Sequence, residues 1–336
     1  MIRETTKRSI RYIVGLSHKK NLPLYEKVVL YFYRIYKHIS LNGKNPRVAN
    51  AVLGMRALFR GSWHYVTIEE LSEYTTQWVK QFPENYDVVV GLPRSGLMVA
   101  AMIGGKLGKP ITTPELFSTH VWMSKRAESR EVKRVLLVDD SFKTGTSMRQ
   151  AKETLLKTIK DPKISVTTAA VIISPGCEQY VDLFYTKISS PRIFEWNLLH
   201  DHKGVVAVDM DGVLCKDPPP LLDEDEAMYR DWISTVEPYL IPHFTIDVIV
   251  SNRLEKYRAE TEAWLKKQRV SYKELRMWNL EESKMRREGS KARHKIQNIL
   301  EIKPFMFWES SRKDAEEIVS ATRVPVWCVE DNIVLS

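Results

Sequence analysis

Two stretches of this sequence end an apolar run in closely spaced acids, and each arrangement suits a definite chemistry. Residues 135–147 read VLLVDDSFKTGTS. Thr144, Gly145, Thr146 and Ser147 offer backbone N–H groups and hydroxyls that can wrap a phosphate where a helix begins. Gly145 lets the backbone come close to that phosphate. Asp139 and Asp140 stand beside it and suit a sugar diol, held directly or through a hard cation such as Mg²⁺. A phosphate together with a diol describes a ribose 5-phosphate. Residues 205–214 read VVAVDMDGVL. Asp209 and Asp211, at i and i+2, leave the end of a strand on the same side, so both reach one site.

These acids need elements to carry them. From residue 61 the sequence alternates strand and helix patterns. Helices are expected at 67–81, 97–107 and 148–159, the first opened by a capping-box-like Thr67-Ile68-Glu69-Glu70. Strands are expected at 87–91, 132–140 and 164–173. A polar stretch, NLLHDHKG at 197–204, separates these from a second strand series at 205–209, 246–251, 305–309 and 325–329. Continuous apolar strands between helices imply parallel sheets covered on both faces. The expected fold class is α/β, with two Rossmann-like parallel-sheet domains in tandem behind a basic helical N-terminal extension. The extension spans 1–60, the first domain 61–196 and the second 205–336.

Charge separates the extension from the rest. The 336 residues carry a net +9. Residues 1–60 hold 13 Lys and Arg against 2 Asp and Glu, a net of +11; the other 276 hold 38 against 40, a net of −2. Tyr25, Val28, Val29, Phe32, Tyr33 and Tyr36 recur at helical spacing among Lys27, Arg34 and Lys37. Two readings of this basic amphipathic helix stand: packing on the next domain, or docking on an anionic membrane surface or another polyanion. The near-neutral body has no basic groove, so nucleic acid is not expected as a partner; a homodimer is compatible with the sequence. No apolar run reaches the roughly 20 residues that span a bilayer. Cys177, Cys215 and Cys328 are far apart and form no CxxC pair. A reduced cytoplasmic setting fits, with the extension as the only candidate for peripheral membrane attachment.

The string at 135–147 resembles the phosphoribosyl-pyrophosphate motif of type I phosphoribosyltransferases. A second piece agrees in order. VVVGLPRSG places a strand before Leu92-Pro93-Arg94-Ser95-Gly96, which is similar to that family's pyrophosphate loop. The resemblance implies that Arg94, Ser95 and Gly96 hold the leaving group while Asp139, Asp140, Thr144, Gly145, Thr146 and Ser147 hold the ribose and its phosphate. The long polar stretch 117–133, with Lys125, Arg126 and Arg130, looks like the family's flap. Residues 191–196 lie where the family has its hood, so Phe194 or Trp196 would stack on a base.

The string at 205–214 resembles the first motif of the haloacid dehalogenase superfamily. By that resemblance Asp209 is the nucleophile that takes a phosphoryl group, and Asp211 the acid and base. Ser251 binds the phosphoryl oxygens. Lys295 is the third-motif lysine, with Lys291 as its rival. Asp209, Asp211 and Glu309 are the expected Mg²⁺ ligands. The sequence departs from the family after Glu309, where Ser310 and Ser311 stand in place of a second acid. Asp314 either compensates for that acid or, one turn into a helix, is a solvated surface residue, which is the expected place for it. Residues 212–245, with Pro218–Pro220 and acids from Asp223 to Glu226, suit a flap and a small helical cap.

Together the resemblances imply a bifunctional, Mg²⁺-dependent enzyme of nucleotide metabolism. One half transfers phosphoribosyl from phosphoribosyl pyrophosphate to an acceptor that the sequence does not identify. The other hydrolyses a phosphomonoester, the 5-phosphate of the product. The alternative is a regulatory protein that senses phosphoribosyl pyrophosphate or a nucleotide and has a weak or inactive phosphatase half.

Overall fold

The computed structural model describes residues 63–119, 123, 132–200, 204–220, 222, 227–279 and 292–336. The basic extension 1–60, Lys125, Arg126 and Arg130, the acids 223–226 and Lys291 lie outside the described residues. The chain divides into two compact units; their described residues fall within Val66–Arg192 for the first, and within 63–65 and Ile193–Ser336 for the second. Strand β1 (His64–Val66) pairs with β7 (Arg192–Phe194) as a separate two-stranded sheet.

The first unit runs α1 (Ile68–Val79), β2 (Val88–Gly91), α2 (Ser95–Leu107), β3 (Ile111–Thr112), β4 (Arg134–Phe142), α3 (Thr146–Thr158), β5 (Ser165–Ile173) and β6 (Leu183–Lys187). Its five strands are ordered β3-β2-β4-β5-β6, and every pairing is parallel. Parallel strands covered by crossover helices bury both faces, so β2 (VVVG) is apolar throughout and buried at every position. Val88, Val90, Val135, Leu137, Ala170 and Ile173 form one face with Phe117, Met148 and Leu155 from outside the sheet. Helix α1 begins in a true capping box. The Glu70 amide donates to Thr67 Oγ1 at 3.1 Å, and the Thr67 amide donates to Glu70 Oε2 at 2.9 Å.

The second unit contains β8 (Val206–Val208), α4 (Ala227–Thr235), β9 (Ile246–Leu254), α5 (Arg258–Lys267), β10 (Tyr272–Trp278), α6 (Ala292–Ile302), β11 (Met306–Glu309), α7 (Arg312–Thr322), β12 (Val326–Cys328) and β13 (Ile333–Leu335). Its sheet order is β10-β9-β8-β11-β12-β13; only the β12–β13 pair is antiparallel. Alternate residues of one strand serve opposite cores. Val206, Val208, Ile249 and Trp308 pack with Trp264 and Tyr229 on one side. Ala207, Val248, Val250 and Phe307 pack with Ile299 and Ile318 on the other.

The α/β class and the parallel sheets are thus as the sequence implies. Strand β4 runs two residues beyond Asp140, because β5 continues the pairing through Phe142 and Ile173. Helix α3 starts at Thr146, so Ser147 lies in its first turn. Strand β9 runs three residues past Ser251, to Leu254. Helix α4 is the short helical piece expected between the first two second-unit motifs. Asp314 is not solvated: it is 9% exposed, because the first turn of α7 faces inward with Ala315 and Ile318.

Removing the α1 cap tests how far local chemistry holds the first unit. Thr67→Ala is expected to cost about 1 kcal/mol and to lower the melting temperature by roughly 2–4 °C, read by circular dichroism.

Candidate active sites

In the first unit two loops leave neighbouring strands at the same end. Gly91 of β2 pairs with Val138 of β4, and the Leu92 amide donates to Val138 O at 3.0 Å. The chain then turns through Pro93 and Arg94 into α2, while one strand over β4 carries Asp139 and Asp140. The start of α2 approaches strand β4 closely enough to require glycine. A Cβ on Gly96 would lie 2.8 Å from Val138 O and 2.9 Å from Asp139 Oδ1. Arg94 is exposed, Ser95 half-buried and Gly96 buried.

Neither helix that opens here is capped by a side chain. The N-cap of α2 is Arg94 and that of α3 is Gly145, and neither makes a side-chain cap hydrogen bond. Helix starts leave backbone N–H groups unused and carry partial positive charge, which suits phosphate. Gly145 has φ +72°, and a Cβ there would come 2.6 Å from the Phe142 ring, so this turn into α3 needs glycine. Thr144, Thr146 and Ser147 are exposed around it, and the Thr144 and Thr146 hydroxyls lie 3.4 Å apart.

The Asp140 amide donates to Asp139 Oδ1 at 2.9 Å. Burial, and then the neighbouring Asp140 carboxylate, push the Asp139 carboxyl up to about 8. Two oxygen donors whose charges repel fit a hard cation or a diol, either of which relieves that repulsion. Phe194 and Trp196 stack on each other with centroids 4.8 Å apart and planes 8° apart; both fall in the second unit.

In the second unit the chemistry-bearing side chains meet around one ammonium. Val208 of β8 pairs with Trp308 of β11, so the residues that follow, Asp209 and Glu309, leave adjacent strands side by side. Lys295 reaches them from α6, on the helix face that also buries Ala292 and Ile299. Its Nζ donates to Asp209 Oδ2 and to Glu309 Oε2, each at 2.7 Å, and all three residues are buried. The second oxygen of each acid takes backbone donors. Asp209 Oδ1 accepts from the Met210 amide at 2.7 Å. Glu309 Oε1 accepts from the Ser310 amide at 3.0 Å and the Ser311 amide at 3.2 Å. Burial opposes the Lys295 charge, yet the two carboxylates outweigh it and raise its pKa. Burial raises Asp209 well above the carboxylate range; Lys295 pulls it down, and Glu309 pushes it up again.

Asp211 does not join this cluster. Arg253 holds it: Nε lies 3.1 Å from Oδ1 and 3.2 Å from Oδ2, and Nη2 lies 2.6 Å from Oδ1. Ser251 is buried on β9, two residues past Ile249, the partner of Val208, and its Oγ accepts from the Arg253 amide at 3.1 Å. Among the described residues no three His, Cys, Asp or Glu side chains gather as a metal-binding group. The three expected ligands are instead divided, with Lys295 between Asp209 and Glu309 and Arg253 on Asp211. Gly212, at φ +74°, is forced by crowding, since a Cβ would meet Ser310 Cβ at 2.4 Å and Asp217 Oδ2 at 2.5 Å. Arg253 was missed by motif reading. Its one sequence signal is the i+2 spacing from Ser251, which puts both on one face of the strand.

Two parallel α/β units, each with acids at the carboxyl ends of its strands, define a ligand-binding architecture. Residues 67–205, less than half of the chain, match the family model described as phosphoribosyl transferase domain. The solved structures that resemble the chain include a purine phosphoribosyltransferase from Pyrococcus horikoshii, at 20% identity and TM-score 0.31, covering 40% of this chain and 94% of that one. They also include a xanthine-guanine-hypoxanthine phosphoribosyltransferase from Helicobacter pylori, at 16% and 0.33, with the same coverages. An orotate phosphoribosyltransferase from Aeropyrum pernix aligns at 21% and 0.27, covering 35% of this chain and 69% of that one. No curated protein matches the chain. No helix among the described residues is long and apolar enough to cross a membrane.

The raised Asp139 carboxyl gives a signed pH dependence. Its folded pKa of about 8 lies above its ordinary value of 3.8, so the folded state holds a proton that the unfolded chain has released. Free protein should lose stability as pH rises from about 4 to about 8. A ligand that needs the carboxylate should bind more tightly over the same window and release a proton. Urea titrations across that window check the first effect, and calorimetry in buffers of different ionisation enthalpy the second; Asp139→Asn should flatten both. In the second unit, Lys295→Met leaves two buried carboxylates without their cation and should cost about 3–5 kcal/mol in urea unfolding.

Proposed function

We propose that the first unit transfers the phosphoribosyl group of phosphoribosyl pyrophosphate to an acceptor. The observation that carries this reading is the contact of Gly96 with Val138 and Asp139, together with the family match over 67–205. That contact joins a leaving-group loop to a sugar-binding loop. The Thr144–Ser147 loop and the start of α3 take the 5-phosphate. Asp139 and Asp140 take the ribose hydroxyls and steady the ring as the anomeric carbon gains positive charge. The Arg94 side chain and the Ser95 and Gly96 amides hold pyrophosphate as its bond to that carbon breaks. The acceptor supplies the new bond and loses its proton to solvent. Catalysis here is positioning and charge stabilisation. Mg²⁺, for which the paired carboxylates are suitable donors, would add charge neutralisation on the pyrophosphate.

For the second unit we propose phosphoryl transfer from a phosphomonoester, in keeping with its resemblance to the haloacid dehalogenase superfamily. By that resemblance Asp209 would attack phosphorus and Asp211 would give a proton to the departing ester oxygen and then take one from the water that hydrolyses the aspartyl phosphate, a role that requires Asp211 to leave the grip of Arg253. Support comes from Lys295, whose ammonium fixes Asp209 and Glu309. Ser251 would bind phosphoryl oxygens. Lys295 stands between Asp209 and Glu309 and Arg253 holds Asp211, so these three acids do not form a ready Mg²⁺ site as they stand, and no step is routed through the ion. The product of the first unit carries a 5-phosphate, so this order of reactions would make transfer irreversible. One feature favours a second reading, binding without turnover: the amides and one hydroxyl at Ser310 and Ser311 turn toward Glu309, where the family has another acid.

Purified protein is to be incubated with Mg²⁺, phosphoribosyl pyrophosphate and a panel of nucleobases, with pyrophosphate and phosphate followed separately. Asp139→Asn should abolish acceptor-dependent pyrophosphate release. Asp209→Asn should abolish phosphate release from nucleoside 5-phosphates and leave pyrophosphate release intact. Tight binding of phosphoribosyl pyrophosphate with no release of either product would favour the sensing role. Persistence of both releases in both variants would remove the two assignments.

A further inference from the structure

In a single displacement at a sugar carbon the incoming group approaches from the face opposite the leaving group. The sheet order β3-β2-β4-β5-β6 therefore divides the first site. The leaving-group loop 92–96 follows β2, on one side of β4. On the other side lie the turn 174–177, which follows β5, and the segment 188–192, which follows β6. That side is the one left for an acceptor. These two stretches read SPGC and ISSPR and contain no acid. The acids between them are engaged elsewhere: Glu178 pairs with Lys187 at 3.2 Å, and Asp182 accepts from the Thr168 amide at 2.7 Å.

One basic side chain of the loop after β4 reaches toward this side. Lys143 stands three residues past Asp140 and one before Thr144. It is exposed, and its Nζ donates to Ser190 Oγ at 3.2 Å. The backbone beneath it is held from the same side. The Ser174 amide donates to Phe142 O at 2.9 Å, Arg192 Nη2 lies 3.5 Å from the same oxygen, and the Cys177 thiol donates to Lys143 O at 3.2 Å. Phe142 is itself buried. The ammonium carries a full charge, and the Ser190 hydroxyl orients it without neutralising it.

We infer that Lys143 is a specificity residue of the first site, and that the acceptor it selects is a nucleobase bearing a carboxylate. The ammonium pairs with that carboxylate through charge-assisted hydrogen bonds, while Ser190 keeps it on the acceptor side. The inference rests on the transferase reading of the first unit. The reaction is the one already described: a ring nitrogen bonds to the anomeric carbon, the bond from that carbon to pyrophosphate breaks, and the N–H proton goes to solvent. Lys143 touches none of the reacting atoms. A lysine that served the phosphates instead would act on phosphoribosyl pyrophosphate, which separates the two duties by experiment.

The full chain is to be assayed for pyrophosphate release with Mg²⁺, phosphoribosyl pyrophosphate and two matched acceptor pairs, orotate with uracil and nicotinate with nicotinamide. Within each pair only one member has the carboxylate. In at least one pair that member should be favoured by about tenfold or more in kcat/KM. Lys143→Met should bring the ratio close to one through the KM of the acceptor, with the KM of phosphoribosyl pyrophosphate little changed. Ser190→Ala should reduce the ratio by a smaller factor, and it carries the comparison if melting curves show that Lys143→Met does not fold. A wild-type ratio near one in both pairs, a ratio that survives Lys143→Met, or a loss confined to the KM of phosphoribosyl pyrophosphate overturns the role of Lys143 and leaves the transferase reading standing. Calorimetric binding of phosphoribosyl pyrophosphate without release for any of these acceptors also overturns the inference. If wild type does not bind phosphoribosyl pyrophosphate at all, the transferase reading fails and the inference with it.

Discussion

A carboxylate at the buried end of a parallel strand must be compensated, and both halves of this protein are organised around that requirement. The strand ends bring acids together because neighbouring parallel strands finish on the same side of the sheet. Asp209 and Glu309 follow the paired residues Val208 and Trp308, and Asp139 and Asp140 follow one another on β4. Burial and a neighbouring acid then push up the carboxyls of Asp139 and Asp209. What answers those charges differs between the units, and the chemistry available to each follows from the answer.

In the second unit the answer is built in. Lys295 stands between Asp209 and Glu309, Arg253 grips Asp211, and backbone amides fill the remaining acceptor sites. Such a cluster is rigid: each polar group is fixed by at least one other, and truncating any one exposes the rest to the full desolvation penalty. In the first unit the answer is partly a proton, since Asp139 holds its own up to about pH 8. A proton is easily exchanged for a cation or a diol. The first pair of acids can therefore trade a proton, while the second cluster is fixed around Lys295.

The anion-binding features follow the same division. Helices α2 and α3 begin without side-chain caps, whereas α1 and α7 are capped by Thr67 and Ser311. An uncapped helix start keeps its N–H groups for a ligand. Gly96 and Gly145 let the backbone come close at these two places, one through contact with β4 and the other through its positive φ. The character of these two helix starts thus depends on local backbone geometry, and the net +11 of the first 60 residues is a separate matter.

The sequence by itself determined the class of fold, the strands that end in acids and the Thr67 cap, because these depend on periodicity and on neighbours a few residues apart. It also pointed to Lys295, through its spacing to β11. Tertiary structure alone decided which groups share a charge. Arg253 is separated from Asp211 by 42 positions, and its one local signal, the i+2 spacing from Ser251, does not point to Asp211. Asp314 read as solvated and is buried, because the orientation of α7 on the sheet is a matter of packing. The grouping of Asp209 and Glu309 under one lysine, with Asp211 held apart, came from strand order and register. Those are set by how two faces of a sheet bury their side chains, a property of the whole unit that no single motif contains.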